Sequence, residues 1–240
     1  MNFEKDHIYH IYNQGNNKQK IFFEKENYHF FIRKIKTHVL PFADILAWCL
    51  MPNHFHLMVY IGSEGATIDS EGATNSEGAT IDSEGATSSR ALTEDLSRAL
   101  TPSRALTGKY ETLNKSIGVM LTSYTRAINN QENFTGSLFR KKTKAICLTN
   151  PPGITPAFFN TTYGTLINIP VNAEEYPQIC FDYIHNNPVK AGLVGNPAEW
   201  EFSSFREFFG DEILVNKTRV MQLELKCLPA IDSQAQFNKP

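Results

Sequence analysis

The stretch WCLMPNHFHLMVY, residues 48–60, decides how the chain is read. Apolar residues flank Pro52 and Asn53; proline pre-sets a turn and cannot donate to a sheet ladder, and asparagine tolerates turn geometry. Residues 42–50 are therefore expected to form a strand, 51–53 a turn and 54–60 the returning strand. Side chains alternate along a strand, so His54 and His56 point to one face and Phe55 to the other. Two imidazoles side by side on a rigid strand make half of a divalent-metal site. The same pattern also arises from polar residues on a sheet's solvent face, and the pair alone does not choose between them.

Working outward, residues 7–12 (HIYHIY) read as a strand and 25–39 as a helix with apolar residues at helical spacing. Residues 109–129 form a long amphipathic helix pattern, 144–148 a short strand, and 175–186 a helix that Pro188 is expected to end. Strands and helices interleaved around a tight hairpin point to an α+β layer, an antiparallel sheet with helices packed on it. Two stretches do not fit. Residues 63–108 are low-complexity, with SEGAT starting at Ser63, Ser70, Ser76 and Ser83, then SRALT at Ser89, Ser97 and Ser103. Without aromatic residues this stretch has no core to build, so a surface loop is expected. Residues 149–172, with Pro151, Pro152, Pro156 and Pro170, read as a second loop insertion. The expected organisation is one domain over 1–210, interrupted at both places, with 211–240 as a C-terminal extension.

Composition narrows the classes. Hydrophobic residues make up 41% of 240, enough for an ordinary core. No apolar run approaches the roughly 20 residues that cross a bilayer, and MNFEKDHIYH lacks the apolar centre of a secretory signal, so a soluble cytoplasmic protein with no membrane partner is expected. Cys49, Cys147, Cys180 and Cys227 lack CxxC spacing and sit among apolar neighbours, as buried hydrophobes do. The net charge of −2 conceals a contrast, because residues 63–107 hold eight acids against three arginines, leaving the remainder at +3. Basic residues gather at Arg33, Lys34 and Lys36, and again at Arg140, Lys141, Lys142 and Lys144. The second run is the candidate for contacts to a nucleic-acid backbone.

YIHNN, residues 183–187, supplies the remaining chemistry. Residues four apart share a helical face, so the Tyr183 phenol and the Asn187 amide project together. The amide oxygen could complete a metal shell and the phenol could serve as nucleophile. Read blandly, Tyr183 continues an apolar face with Ile179 and Cys180, and Asn187 caps a helix end.

Five motifs, in order, resemble those of the REP-associated tyrosine transposases, within the wider HUH single-tyrosine transposase superfamily. They are YHIYNQGNNKQKIF (9–22), WCLMPNHFHLMV (48–59), GSLFRKKTKA (136–145), YIHNNPVKAGLV (183–194) and WEFSSF (200–205). The resemblance implies a ferredoxin-like sheet carrying His54 and His56, with Asn187 as third ligand to Mg²⁺ or Mn²⁺. It implies Tyr183 as the nucleophile that cuts and rejoins single-stranded DNA beside a palindromic hairpin through a 5′-phosphotyrosine. Relatives include monomers and dimers that exchange the tyrosine helix. Tyr124, in SYTRAINN, is the rival nucleophile; its fourth neighbour along the helix, Ile128, cannot ligate a metal. His10 on the first strand could face the site, with a structural role expected. Two further readings stay open: a hairpin-DNA-binding protein of the same fold without turnover, and a nickase of the replication-initiator or relaxase type.

The two repeats are related through their codons. SEGAT can be written AGT GAG GGC GCG ACT, whose reverse complement, AGT CGC GCC CTC ACT, encodes SRALT. The gene is therefore predicted to carry inverted repeats over this stretch, able to fold into hairpins. Sequencing the gene tests this directly: complementary codons are expected, and non-complementary ones end the idea.

Overall fold

The computed structural model describes residues 2–62, 112–149, 158–161, 164–167, 175–210 and 213–227. The expected 63–108 repeat loop lies outside them. Four strands, β1 (Ile8–Gln14), β2 (Asp44–Met51), β3 (His54–Tyr60) and β4 (Lys144–Cys147), form one sheet in the order β2-β3-β1-β4, every neighbouring pair antiparallel. Helix α1 (Lys25–His38) connects β1 to β2, and α2 (Leu113–Glu132) lies between β3 and β4 along the chain. This βαββαβ order is the ferredoxin-like topology. The expected α+β sheet with packed helices is what forms.

The helices on one face follow from their spacing. In α1 the buried Tyr28, Phe31, Ile32 and Ile35 recur at helical intervals, and Asn27 closes a capping box with Glu24. In α2 the buried Leu113, Ile117, Met120, Leu121, Tyr124 and Ile128 do the same, from the Thr112 cap to a left-handed Asn133 with φ of 54°. These faces meet the odd-numbered side of β3. Phe31 lies with its ring 5.1 Å from Phe55 and 4.9 Å from Tyr124.

The other face of the sheet carries α3 (Tyr176–Lys190), which packs over β2 and β3. Its end differs from expectation. Pro188 sits inside the helix, which runs on to Lys190. The helix stops where Gly192 supplies a left-handed φ of 69°, with the Ala191 N–H still bonded to the Asn187 carbonyl at 3.0 Å. Pro188 has no N–H to give the Ile184 carbonyl, so the helix forgoes that one bond and continues for two more residues.

The outer edge of β2 is covered by later chain. Leu50 N–H donates to Phe202 O at 2.9 Å, and Asn216 N–H to Ile45 O at 2.9 Å. Glu207, 1% exposed, gathers the chain here. Its carboxylate accepts the Trp48 indole N–H and the backbone N–H groups of Ile213, Leu214 and Val215, the last three at 2.8, 2.9 and 2.9 Å. The short helix α4 (Lys217–Gln222) follows, and Arg219 pairs with Asp44 at 2.9 Å. Leu214, Val215, Val220 and Leu225 join the main core, so residues 213–227 pack on the domain. Within the expected 149–172 loop, β5 (Phe158–Thr161) and β6 (Gly164–Ile167) form a separate antiparallel hairpin. Among the described residues no helix is long and apolar enough to cross a membrane.

One hydroxyl ties α3 to the sheet. Ser204 Oγ donates to Trp48 O at 3.1 Å, accepts from Trp48 N–H at 2.8 Å, and lies 2.8 Å from His185 Nε2. The hydroxyl's single proton goes to the carbonyl, so His185 must donate from Nε2. Burial among Phe181, Phe205 and Phe208 pushes its pKa down to about 3 and keeps the ring neutral. Ser204→Ala leaves three buried groups short of a partner, and a loss of about 1–3 kcal/mol is expected in urea unfolding. A variant as stable as the parent would contradict this role.

Candidate active site

His54 and His56 lie on β3 as expected, their rings 4.9 Å apart and nearly perpendicular. The register sets what joins them. Gln14, Tyr12 and His10 of β1 stand opposite His54, His56 and Met58, and Cys49 of β2 stands opposite His56. Period-two alternation therefore gathers His10, Tyr12, His54 and His56 on the α3 face. Tyr183 comes down from α3 with its ring 5.4 Å from His56 and 6.3 Å from His10. It is 39% exposed, accessible to a large substrate. Asn187, one turn on, is buried at 8% exposure inside the helix rather than capping its end. Its side chain adjoins both His54 and Tyr183, without Nδ2 reaching hydrogen-bond geometry to either.

Each histidine is held by its δ nitrogen. His54 Nδ1 lies 2.6 Å from Asn53 Oδ1, and Asn53 in turn donates its Nδ2 to Lys18 O at 3.3 Å. The amide orientation is thereby set, its oxygen faces His54, and the proton belongs on His54 Nδ1. His56 Nδ1 lies 2.8 Å from His10 Nε2. Burial pushes His54 below 6.5, opposed by the Asn187 contact, and pushes His56 further down, aided by its two histidine neighbours. The Tyr183 phenol is raised above 10.0 by burial, with the Asn187 contact acting the other way.

Two buried side-chain atoms among the described residues have no hydrogen-bond partner: His56 Nε2 and Asn187 Nδ2. Native interiors rarely leave such atoms unpaired without a reason. Both belong to residues expected to hold a metal. No three of His, Cys, Asp and Glu among the described residues stand close enough to hold an ion, and the side chain that adjoins His54 from α3 is the Asn187 amide. Neutral imidazoles with an amide oxygen can hold a divalent ion such as Mn²⁺, which accepts nitrogen ligands more readily than Mg²⁺ does. The residues fit.

Tyr124 is elsewhere. It is fully buried on the opposite face of the sheet, its hydroxyl donating to Ile21 O at 2.7 Å, with burial raising its phenol far above the ordinary value. Arg140, Lys141, Lys142 and Lys144 are exposed. Arg140 N–H donates to Gln14 O at 2.9 Å, and Gln14 is the register partner of His54, so the run starts at the site's end of the sheet. Lys144, opposite Tyr12, places its ammonium 5.9 Å from that ring. Arg33 and Lys34 instead lie against Phe30 on α1, remote from the histidines. Cys49 and Cys180 are buried and Cys147 and Cys227 half-buried, all four as free thiols.

Three neighbours escape a reading of the sequence: Tyr12, Lys190, whose ammonium is 5.3 Å from the Tyr183 ring, and Asn53. Alternation put His10 and Tyr12 on one face of their strand; which face needed the register with β3.

These elements define a ferredoxin-like domain with a paired-histidine strand beneath a helix-borne tyrosine and asparagine. No protein-family model matches the chain, and no curated protein matches it. Among solved structures it is similar to a REP-associated tyrosine transposase bound to a REP hairpin, at 14% identity and a TM-score of 0.42, over 89% of this chain and 87% of that one.

Proposed function

We propose that the chain is a tyrosine transposase, a metal-dependent enzyme that cuts and rejoins single-stranded DNA beside a hairpin through a covalent phosphotyrosine. The observation that carries it is the pair of buried unpartnered atoms, His56 Nε2 and Asn187 Nδ2, beside the half-exposed Tyr183 phenol. The five motifs resembling that enzyme family support it.

His54 and His56 would hold the ion through their ε nitrogens, and Asn187 through its amide oxygen once the amide is turned. The ion, Mn²⁺ or Mg²⁺, supplies Lewis-acid polarisation of a phosphodiester. Tyr183 does the bond-making. Its phenol oxygen bonds to phosphorus as the bond to the 3′ oxygen breaks; the phenol gives up its proton to solvent and the departing 3′ oxygen takes one up. The 5′ phosphate stays on the protein, and the free 3′ hydroxyl can reverse the step without ATP. Burial disfavours the phenolate at rest, so the phenol would need the field of a bound cation or a base to lose its proton. Arg140, Lys141, Lys142 and Lys144 bind the strand's phosphates, and Lys190 stands ready for the phosphate at Tyr183. All of these residues lie in one chain, an arrangement compatible with a monomer or a homodimer.

Hairpin oligonucleotides copied from the gene and its flanks, incubated with Mn²⁺ or EDTA and run on denaturing gels, test this. A Mn²⁺-dependent covalent adduct is expected from the parent and from Tyr124→Phe and Tyr12→Phe. It is expected to fall to background in Tyr183→Phe and in the His54→Ala, His56→Ala double variant. An adduct that survives Tyr183→Phe overturns the assignment. Tight hairpin binding with no adduct from any oligonucleotide identifies a binding protein of the same fold instead.

A further inference from the structure

The contact between His10 and His56 is not needed to build the sheet, yet it fixes the state of a proposed ligand. His10 Nε2 and His56 Nδ1 are 2.8 Å apart and both residues are buried, at 8% and 5% exposure. One proton lies between the two nitrogens. If it belonged to His10, a neutral His56 would carry its own proton on Nε2, a buried donor with no acceptor in reach. If it belongs to His56, Nε2 keeps a bare electron pair. The first arrangement leaves a buried N–H orphaned, which folded proteins avoid more strictly than an under-used acceptor.

The same logic already holds at His54, whose Nδ1 proton is tied to Asn53 and whose ε nitrogen is left bare. His10 is itself held in place, its ring stacked 4.8 Å from Tyr12 and 5.0 Å from His56, at interplanar angles of 29° and 26°. We propose that His10 is a positioning residue: it accepts the Nδ1 proton of His56, fixes that ring's tautomer and orientation, and so presents His56 Nε2 as a bare donor to a divalent ion. This rests on the metal reading of the site. Partners that fix the far nitrogen of a ligating histidine commonly change metal affinity by about 10–100-fold when removed.

Two variants separate packing from hydrogen bonding. His10→Phe keeps an aromatic ring to stack between Tyr12 and His56 but offers no acceptor. His10→Gln places an amide oxygen where Nε2 was and can still accept. Long-range ¹H–¹⁵N correlation spectra of the metal-free protein read the His56 tautomer, and Mn²⁺ titration followed by electron paramagnetic resonance reads affinity.

The parent is expected to show His56 protonated on Nδ1 and to bind one Mn²⁺. His10→Phe is expected to stay folded, to lose the single Nδ1–H tautomer, and to bind Mn²⁺ about 10–100-fold more weakly. His10→Gln is expected to recover most of that loss. A parent His56 protonated on Nε2, or a folded His10→Phe that binds Mn²⁺ as tightly as the parent, overturns the inference. A parent with the Nδ1–H tautomer that binds no Mn²⁺ overturns the metal reading instead and leaves the role of His10 in setting the tautomer supported.

Discussion

Ser204 places one hydroxyl against both backbone groups of Trp48 on β2 and against His185 on α3. Everything on the upper face of the sheet depends on where this contact holds the helix. His185 falls between Tyr183 and Asn187 in the sequence but points the other way, into Phe181, Phe205 and Phe208. Fixing its ring fixes the rotation of α3. The phenol and the amide then come down over His54 and His56. Glu207 reinforces the arrangement from the same segment by holding the Trp48 indole and three backbone N–H groups. A buried carboxylate with four donors is stable where an unpaired one would not be.

The sheet divides its labour by alternation. Phe55, Leu57 and Val59 of β3 are fully buried, and Phe55 meets the aromatic core beneath α1 and α2. His54 and His56 occupy the intervening positions and meet α3. A one-residue slip in the β1–β3 register would turn His10 and Tyr12 away from the site and drive Ile11 into it. The apolar side, where Ile11 and Leu57 are both completely buried, is what prevents the slip. Packing on one face thus specifies the chemistry on the other.

The β3 strand, residues 54–60, could be read from the sequence to the residue, because alternation and the Pro52-Asn53 turn leave one solution. Helix α1 could be read within a residue for the same kind of reason, an unbroken helical apolar stripe. The end of α3 could not. A proline near a helix end reads as a stop, and only the backbone shows that Gly192 ends the helix. That difference matters at Asn187, which the earlier stop would have made a cap and which the longer helix turns inward. His185 and Ser204, 19 residues apart, share no local pattern that announces their contact, although both lie in motifs the sequence had already singled out. Tyr124 illustrates the converse. Its helical spacing already fitted a core position, and its motif context alone made it a rival.

The central claim is that His54, His56 and Asn187 of one chain converge on a divalent ion beside Tyr183. Crystals of the full chain soaked in Mn²⁺, with anomalous diffraction measured at the manganese edge, test it most directly. The account predicts one dominant anomalous peak in contact with the ε nitrogens of His54 and His56 and with the Asn187 amide oxygen, and the Tyr183 hydroxyl beside it. A peak at other residues, or none at manganese concentrations that saturate known sites of this kind, would contradict it.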